Sequence, residues 1–284
     1  MLADNGELGE WGFSALVIAD GHRILFDTGM HSDVVLKNAR GLGIDLGSVP
    51  EVVLSHNHHD HVGGLLTLRR AAMQGSPAAL GLAHVGLGIF YPRVGPIPGV
   101  DANTMTLIRT QYEATGGVFV EHSGPVQIHP GVWLTGPVPR RYPERNWSGS
   151  GRVTGPAGTV EDNVPEDMSL VLDTDRGLIV VTGCGHAGIA NIVDYSRTVV
   201  RPARIHAIIG GVHLFEAPDR TVKWTADKLG ESGLDYFIGA HCTGIETVYS
   251  FRRLLSLDRA HAVVGAVGAS FELGRGIDPG NIAQ

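Results

Sequence analysis

Several residue types that identify common protein classes are scarce in this sequence. The two cysteines, Cys184 and Cys242, are too few for a disulfide-stapled secreted domain, so we expect a reducing, cytoplasmic location. Charged residues make up only 18% and aromatic residues 6%, which argues against a disordered chain or a coiled coil. No apolar run approaches the length that spans a bilayer, and residues 1–7 lack the pattern of a signal peptide. The composition predicts a soluble globular protein with no membrane partner.

The charge balance and the histidines narrow the functional classes further. The formal net charge of −7 argues against a nucleic-acid partner, because binding to a phosphate backbone needs a basic surface. Histidine, by contrast, is abundant, with 14 residues, and four of them fall between positions 56 and 61. Imidazoles packed so closely repel one another when protonated. The clustering therefore indicates a chemical function at this point of the chain.

The first third of the chain predicts a hairpin, a helix, a strand, a second helix and a further strand. The hairpin turns at Asp20-Gly21, a tight-turn dipeptide. The first helix is expected to be capped by Ser32 and stopped by Gly41. The predicted segments are, in order, residues 13–19, 23–26, 32–41, 51–55, 64–73 and 79–83.

The same order of elements recurs later in the chain, which indicates a diverged duplication. The second hairpin ends at Thr182-Gly183, much as the first ends at Thr28-Gly29. If the halves are equivalent, their strand ends lie along one rim of a two-sheet structure. The predicted segments are residues 169–172, 178–181, 187–199, 205–209, 221–229, 236–239, 245–255 and 262–264.

The stretch between the halves, residues 92–165, is rich in glycine and proline. We expect it to form loops over a site, with short strands at residues 118–121 and 132–135 and no second core. No low-complexity linker interrupts the chain. Residues 1–284 are therefore predicted to form a single domain.

The strand predicted at residues 51–55 leads directly into the sequence SHNHHDH. His56 and His58 are two positions apart, so they can converge on one cation from an extended loop. Asp60 and His61 can turn towards a second cation close by, whereas His59 alternates away from its neighbours. Imidazole and carboxylate groups suit zinc, iron or manganese. The spacing therefore predicts a metal site.

The His-x-His-x-Asp-His pattern at a strand end resembles the metallo-β-lactamase superfamily. Further motifs resemble one branch of it, named for the dihydropterin–ribofuranosylaminobenzene-phosphate synthase of methanopterin biosynthesis. The resemblance implies an α+β fold, an αββα sandwich of two related halves with the metals at the rim between the sheets. The motifs are FDTG (26–29), LSH (54–56), DHVGGL (60–65), TG with PR (135–140), TGCGH (182–186), GGVHL (210–214) and HCTG (241–244).

Carried over residue by residue, the resemblance implies two bound zinc ions, although manganese or iron would also suit the ligands. His241, at the end of a predicted strand, would complete the second ion's ligands. Asp27 would support one of the ligands from behind. The first ion would be bound by His56 and His58 and the second by Asp60 and His61.

The chain departs from the superfamily pattern at two ligand positions. The histidine expected before the second hairpin is absent, since residues 164–169 read VPEDMS. A bridging aspartate is replaced by Cys184, which is either a soft thiolate ligand for zinc or a small buried residue. We predict that His186 supplies the missing third ligand of the first ion, with Asp167 and His213 as the alternatives.

Further residues carry separate expectations. His213 would bind metal, act as a general acid or be a structural histidine bonded to a backbone carbonyl. Arg140 would clamp a substrate phosphate or carboxylate, unless it forms an ion pair with Glu144. His84 resembles a branch position that lines the pocket. Cys242 is expected to pack, because an extended backbone would direct it away from the ligands.

These predictions favour a metal-dependent hydrolase or phosphate-transfer enzyme with a small anionic substrate. A metal-bound hydroxide would attack the substrate, with Asp60 as a catalytic ligand and His213 protonating the leaving group. The two departures motivate an alternative from another class, a metal-bearing binding or regulatory protein with little turnover. A di-iron oxidoreductase at the same residues is a third interpretation. An open coordination position would indicate catalysis, and a closed set of protein ligands a structural ion. A homo-oligomer is compatible with the sequence.

Overall fold

The first of two β-sheets is formed by the N-terminal part of the chain. The structure, a computed structural model, describes residues 1–4, 6–147 and 149–280. The strands of this sheet, in chain order and in spatial order, are β1 (Ala15–Ala19), β2 (His22–Phe26), β3 (Glu51–Leu54), β4 (Leu82–Gly86) and β5 (Val118–His122). β1 and β2 form an antiparallel hairpin, and β2 to β5 run parallel to one another.

The second sheet repeats this arrangement. The remaining strands are β6 (Val126–His129), β7 (Val132–Leu134), β8 (Arg152–Gly155), β9 (Gly158–Glu161), β10 (Leu170–Thr174), β11 (Gly177–Thr182), β12 (Ile205–Gly210), β13 (Tyr236–Gly239), β14 (Ala262–Val264), β15 (Ser270–Glu272) and β16 (Gly276–Asp278). β10 and β11 form an antiparallel hairpin, followed by the parallel strands β12, β13 and β14. The spatial order of this sheet is β14-β13-β12-β11-β10-β7-β6, with β7 and β6 added antiparallel beside the hairpin. Both sheets thus contain a hairpin followed by three parallel strands, which agrees with the predicted duplication.

Helices cover the outer faces of both sheets, and a third apolar layer lies between the sheets. The helices are α1 (Val34–Gly41), α2 (His59–Val62), α3 (Leu65–Ala72), α4 (Met105–Glu113), α5 (Ile189–Val199), α6 (Asp219–Glu231) and α7 (Ile245–Leu254). Helices α1 to α4 pack on the first sheet and α5 to α7 on the second. Phe26 and Val53 of the first sheet meet Leu134 and Val181 of the second in a fully buried layer. The order of layers is therefore helix, sheet, sheet, helix.

The carboxyl ends of the parallel strands from both sheets meet at one rim. Three residues there, Asp27, His213 and His241, have positive φ angles of 57°, 48° and 51°, although none is glycine. Such a backbone conformation costs about 1–3 kcal/mol per residue and persists only where the surrounding structure holds it. The rim is therefore built under strain, as functional sites often are.

The middle of the chain differs most from the prediction. The strands predicted at residues 118–121 and 132–135 are confirmed as β5 and β7, but this stretch also contains α4, β6 and the β8–β9 hairpin, which were not predicted. Helix α4 buries Met105 and Tyr112, seven positions apart on one face. The first helix begins at Val34 after Asp33, without a side-chain cap from Ser32. The assignment of the chain to a single domain stays a prediction.

Among the described residues, no helix combines the length and the apolar character needed to cross a membrane.

Candidate metal centre

Seven side chains of metal-ligand type meet at the rim in two clusters, each drawn from both halves of the chain. Within each cluster, one potential ligand atom per residue lies within 4.8 Å of all the others. The first cluster consists of His56, His58 and His186, and the second of Asp60, His61, Cys184 and His241. The structure therefore brings together the residues that the sequence grouped as ligands, including His186 as the third member of the first set.

The first cluster has bare nitrogen atoms where an ion would sit. The Nε2 atoms of His56 and His186 are buried and have no hydrogen-bond partner in the described part of the chain. Their other ring nitrogens are engaged: His56 Nδ1 lies 2.9 Å from Ser55 Oγ, and His186 Nδ1 bonds the Asn146 carbonyl. Metal-ligating histidines are fixed from behind in this way, so the donors fit a cation.

The three imidazoles of this cluster are held in the neutral form that binds metal. Burial lowers the pKa of His58 to about 4. Burial and the neighbouring imidazoles lower the pKa of His56 and His186 well below the ordinary value. At neutral pH these side chains therefore have free lone pairs, and an ion would not compete with protons for them.

The second cluster converges on one point as well. His61 Nε2 lies 3.1 Å from Cys184 Sγ and 3.2 Å from His241 Nε2. Asp60 Oδ2 lies 3.1 Å from His241 Nε2. Burial alone would raise the pKa of Asp60, but the hydrogen bond from His241 lowers it below its usual range, so Asp60 is a carboxylate. Burial raises the pKa of the Cys184 thiol, so an ion bound there would have to displace its proton.

Asp27 connects the two clusters from behind. Its fully buried carboxylate accepts hydrogen bonds from the Ser55 backbone N–H and the Ser55 hydroxyl, each at 2.7 Å. It also lies 2.7 Å from His61 Nδ1, and the Ser55 hydroxyl reaches His56 in turn. Gly183 leaves room for this network, since a Cβ there would stand 2.1 Å from Ser55 Oγ.

The two alternatives for the third ligand of the first ion have other surroundings. The Asp167 carboxylate accepts a hydrogen bond of 2.8 Å from the Ala187 backbone N–H, which fixes the segment that carries His186. The His213 ring lies 4.5 Å from the His186 ring, and its ligand atom groups with two cysteines instead. The structure therefore favours His186 over both alternatives.

Arg140 lies in the middle section without the ion pair that the sequence left open. Its guanidinium donates to the backbone carbonyls of Asn163 and Val164 and lies 5.6 Å from the Trp147 ring. Glu144 accepts hydrogen bonds from the Ala190 and Asn191 backbone at the start of α5 instead. The ion-pair interpretation is wrong, and a substrate clamp at Arg140 stays a prediction.

We expect Glu144 to make the stability of the metal-free protein depend on pH. Burial raises the pKa of Glu144 from 4.5 to about 7. The folded state then binds more protons than the unfolded state, so stability falls as the pH rises from 4.5 through 7. Relative to Glu144→Gln, the free energy of unfolding of the wild type should fall by about 3 kcal/mol over this range. Urea unfolding at pH 4 and pH 8 measures this. The exposed Glu113→Gln is the control, and equal slopes for wild type and Glu144→Gln would contradict the expectation.

His84 does not join the two clusters. It lies within β4 rather than after it, because this strand begins at Leu82, three residues later than predicted. Its Nδ1 is 2.9 Å from His122 Nε2, and its Nε2 is 3.5 Å from the Glu51 carboxylate. A role for His84 in the substrate pocket stays a prediction.

Three residues at the rim were not found from the sequence as functional residues. Trp11 and Phe215 are 51% and 43% exposed, and the Trp11 ring lies 5.0 Å from the His241 ring and 5.5 Å from the Phe215 ring. Cys242 groups with Cys184 within ligand distance. Two aromatic residues far apart in sequence form no pattern that predicts their contact. Cys242 was predicted to point away from the ligands because the backbone there was taken as extended.

Comparisons with known proteins agree with the fold. Residues 12–104, which carry the first four ligands, match the model of the metallo-beta-lactamase superfamily. The chain is 29% identical over 251 residues to the 7,8-dihydropterin-6-methyl-4-(beta-D-ribofuranosyl)-aminobenzene-5'-phosphate synthase of Methanocaldococcus jannaschii. The matched region covers 84% of this chain and 82% of that protein.

Solved structures give the same result. Tm1679, described as a metal-dependent hydrolase of the beta-lactamase superfamily, is 31% identical, with a TM-score of 0.71 and coverage of 89% of this chain and 90% of that one. The metallo-beta-lactamase fold protein YhfI from Bacillus subtilis shares only the fold, at 15% identity, a TM-score of 0.52 and 90% coverage of both chains. The αββα fold and the resemblance stated from the sequence are confirmed. This chain belongs to the metallo-β-lactamase superfamily.

Proposed function

We propose that the protein is a metal-dependent hydrolase or phosphate-transfer enzyme acting on a small anionic substrate. The observation that carries the proposal is the difference between the two clusters. The first offers three imidazoles, whereas the second offers four donors. Three protein ligands leave a coordination position open, as in catalytic zinc sites, and four close the shell. Nitrogen, carboxylate and thiolate donors suit zinc, with one ion per cluster.

Zinc in such a site polarises a phosphoryl or acyl oxygen and lowers the pKa of a water molecule towards neutrality. The residues of this chain determine where that happens. Ser55 and Asn146 hold the rings of His56 and His186, so their bare Nε2 atoms point to one place. Ligands that are already in position need no rearrangement during the reaction. This preorganisation favours a catalytic role over a role in metal storage.

An exposed aromatic surface beside the second cluster supports a substrate that contains a ring. Trp11 and Phe215 stand edge to face next to His241 and His213, with half of the Trp11 surface open to solvent. A planar group would stack on such side chains while its anionic end reaches the ions. The name of the Methanocaldococcus jannaschii relative combines an aminobenzene group with a phosphate. We therefore propose phosphorylated aromatic compounds as the first substrate class to test.

Hydrolysis of matched aryl and alkyl phosphoesters by the zinc-loaded protein tests the proposal. We expect turnover of the aryl esters, and a kcat lowered at least about 100-fold in His186→Ala, because an open site with two ligands holds its ion poorly. Trp11→Ala should raise KM for aryl but not for alkyl esters. His261→Ala removes a half-buried histidine outside the clusters, which pairs with Asp258 and stacks on Tyr236, and is the control.

Full zinc occupancy without turnover of phosphoesters or acyl esters would contradict the enzyme proposal. The closed four-donor cluster gives the alternative a basis, because an ion with four protein ligands serves structure rather than catalysis. In that case a binding or regulatory protein would be the better description.

A further inference from the structure

A third group of potential ligands adjoins the second cluster, and its donors are softer. Cys184, His213 and Cys242 each place a ligand atom within 4.8 Å of the other two. Tetrahedral zinc with bonds of about 2.3 Å to sulfur spaces its ligand atoms about 3.8 Å apart, so this spacing fits one ion. Two sulfurs and one imidazole form a donor set that neither of the other clusters has.

The backbone places Cys242 in this group by turning instead of extending. Residues His241–Thr243 form a short 3₁₀ turn directly after β13, and His241 has a φ angle of 51°. Gly211 makes room for the sulfur, because a Cβ at that position would lie 2.7 Å from Cys242 Sγ. A larger residue at Gly211 would displace the Cys242 thiol from this group.

The side-chain donors of this group contact mainly other potential metal ligands. His213 Nδ1 is buried and has no hydrogen-bond partner in the described part of the chain. Cys242 Sγ lies 3.7 Å from the Cys184 carbonyl oxygen, and Cys184 Sγ lies 3.1 Å from His61 Nε2 of the second cluster. The His213 ring is held between the rings of His186 and Phe215, at 4.5 Å and 5.5 Å. An unpaired nitrogen and two thiols held in place together, with contacts mainly to other potential ligands, are what an ion site provides before it is filled.

We propose that Cys184, His213 and Cys242 form a third metal site, which takes a soft or borderline cation such as Zn²⁺, Co²⁺ or Cd²⁺. The site shares the Cys184 sulfur with the second cluster, so one thiolate would bridge two ions. Thiolate donors select for such cations over Mg²⁺ or Ca²⁺. When the site is filled, His213 is a ligand and is not free to protonate a leaving group. The inference concerns metal binding and does not depend on the proposed activity.

Titration of the metal-free, fully reduced protein with Co²⁺ tests the proposal. Cobalt bound to thiolate absorbs in the near ultraviolet, and the absorbance grows with the number of cobalt–sulfur bonds. We expect about three equivalents of Co²⁺ per chain. In Cys242→Ser one equivalent should be lost, and the absorbance should fall by about two thirds, because the third ion makes two of the three cobalt–sulfur bonds. His213→Ala should lose the same equivalent.

Controls separate the loss of a ligand from the loss of the fold. His206→Ala removes another buried imidazole from the strand that leads to His213, one that pairs with Asp235, and should keep all three equivalents. Retention of the other two equivalents by Cys242→Ser shows that the variant is folded. Unchanged stoichiometry and absorbance in Cys242→Ser, or no more than two equivalents in the wild type, would overturn the proposal. A failed activity screen would leave this result unaffected.

Discussion

Replacing His58 by alanine is expected to remove the ion of the first cluster while leaving the second cluster filled. Three imidazoles converge on that ion, and the loss of one leaves two, which lowers the affinity at least about 100-fold. Plasma mass spectrometry of untagged protein purified without chelator measures the result. Zinc in the wild type with about one ion fewer in the variant would agree with the expectation.

His59 offers a matched control for this experiment. It is the next residue, the first of α2, and carries the same side chain, but it is exposed and belongs to neither cluster. His59→Ala should therefore retain the metal content of the wild type. Equal metal in His58→Ala and the wild type would contradict the assignment of the first cluster, whereas equal losses in both variants would indicate unspecific binding to a histidine-rich loop.

Removing the Asp27 carboxylate is expected to cause the largest loss of stability among these variants. In Asp27→Ala the Ser55 backbone N–H, the Ser55 hydroxyl and His61 Nδ1 lose their common partner in a fully buried position. Each unsatisfied buried group costs about 1–3 kcal/mol, and removing one partner of a buried charged pair costs about 3–5 kcal/mol, so a loss of at least about 3 kcal/mol is expected. Urea unfolding of the metal-free protein measures this cost without a contribution from bound ions.

Two further variants make the result interpretable. Asp27→Asn keeps the shape and one acceptor oxygen, so its loss should be smaller than that of Asp27→Ala. Asp227→Ala removes an exposed aspartate that is paired with Lys223, and a change within about 0.5 kcal/mol is expected. A loss from Asp27→Ala as small as that from Asp227→Ala would mean that the buried network does not stabilise the fold.

The sequence predicted the regular halves of the fold well, because the signals there are local. The hairpin turn at Asp20-Gly21 and the apolar runs beside it place β1, β2 and β3 to within two residues. The strand over residues 236–239 and the one over 262–264 have the predicted bounds. In the middle section, glycine and proline dominate the composition and hide α4, whose buried face has only Met105 and Tyr112. The composition of the whole stretch therefore obscured a short amphipathic helix within it.

The candidate site, too, was predicted where its signals are local in sequence and missed where they depend on the folded backbone. The candidate ligands from 56 to 61 stand together in sequence, so spacing alone predicted them as a group, and the family resemblance added His241 to the prediction. His186 was predicted because it follows the same strand end as Cys184, two residues further along the chain. Cys242 was missed because its direction depends on a 3₁₀ turn and a positive φ at His241, neither of which a sequence pattern reveals. Trp11 and Phe215 meet only in the folded chain.

The repeated topology of the two sheets has a consequence for assembly. Each cluster takes some of its ligands from the first half and some from the second, so neither half alone can hold an ion in either cluster. Metal binding and the packing of the halves are therefore linked equilibria: whatever free energy an ion gains from binding is added to the free energy that holds the sheets together. Bound ions would therefore stabilise the contact between the sheets, and a change that populates the unfolded state by loosening this contact would lower the apparent metal affinity.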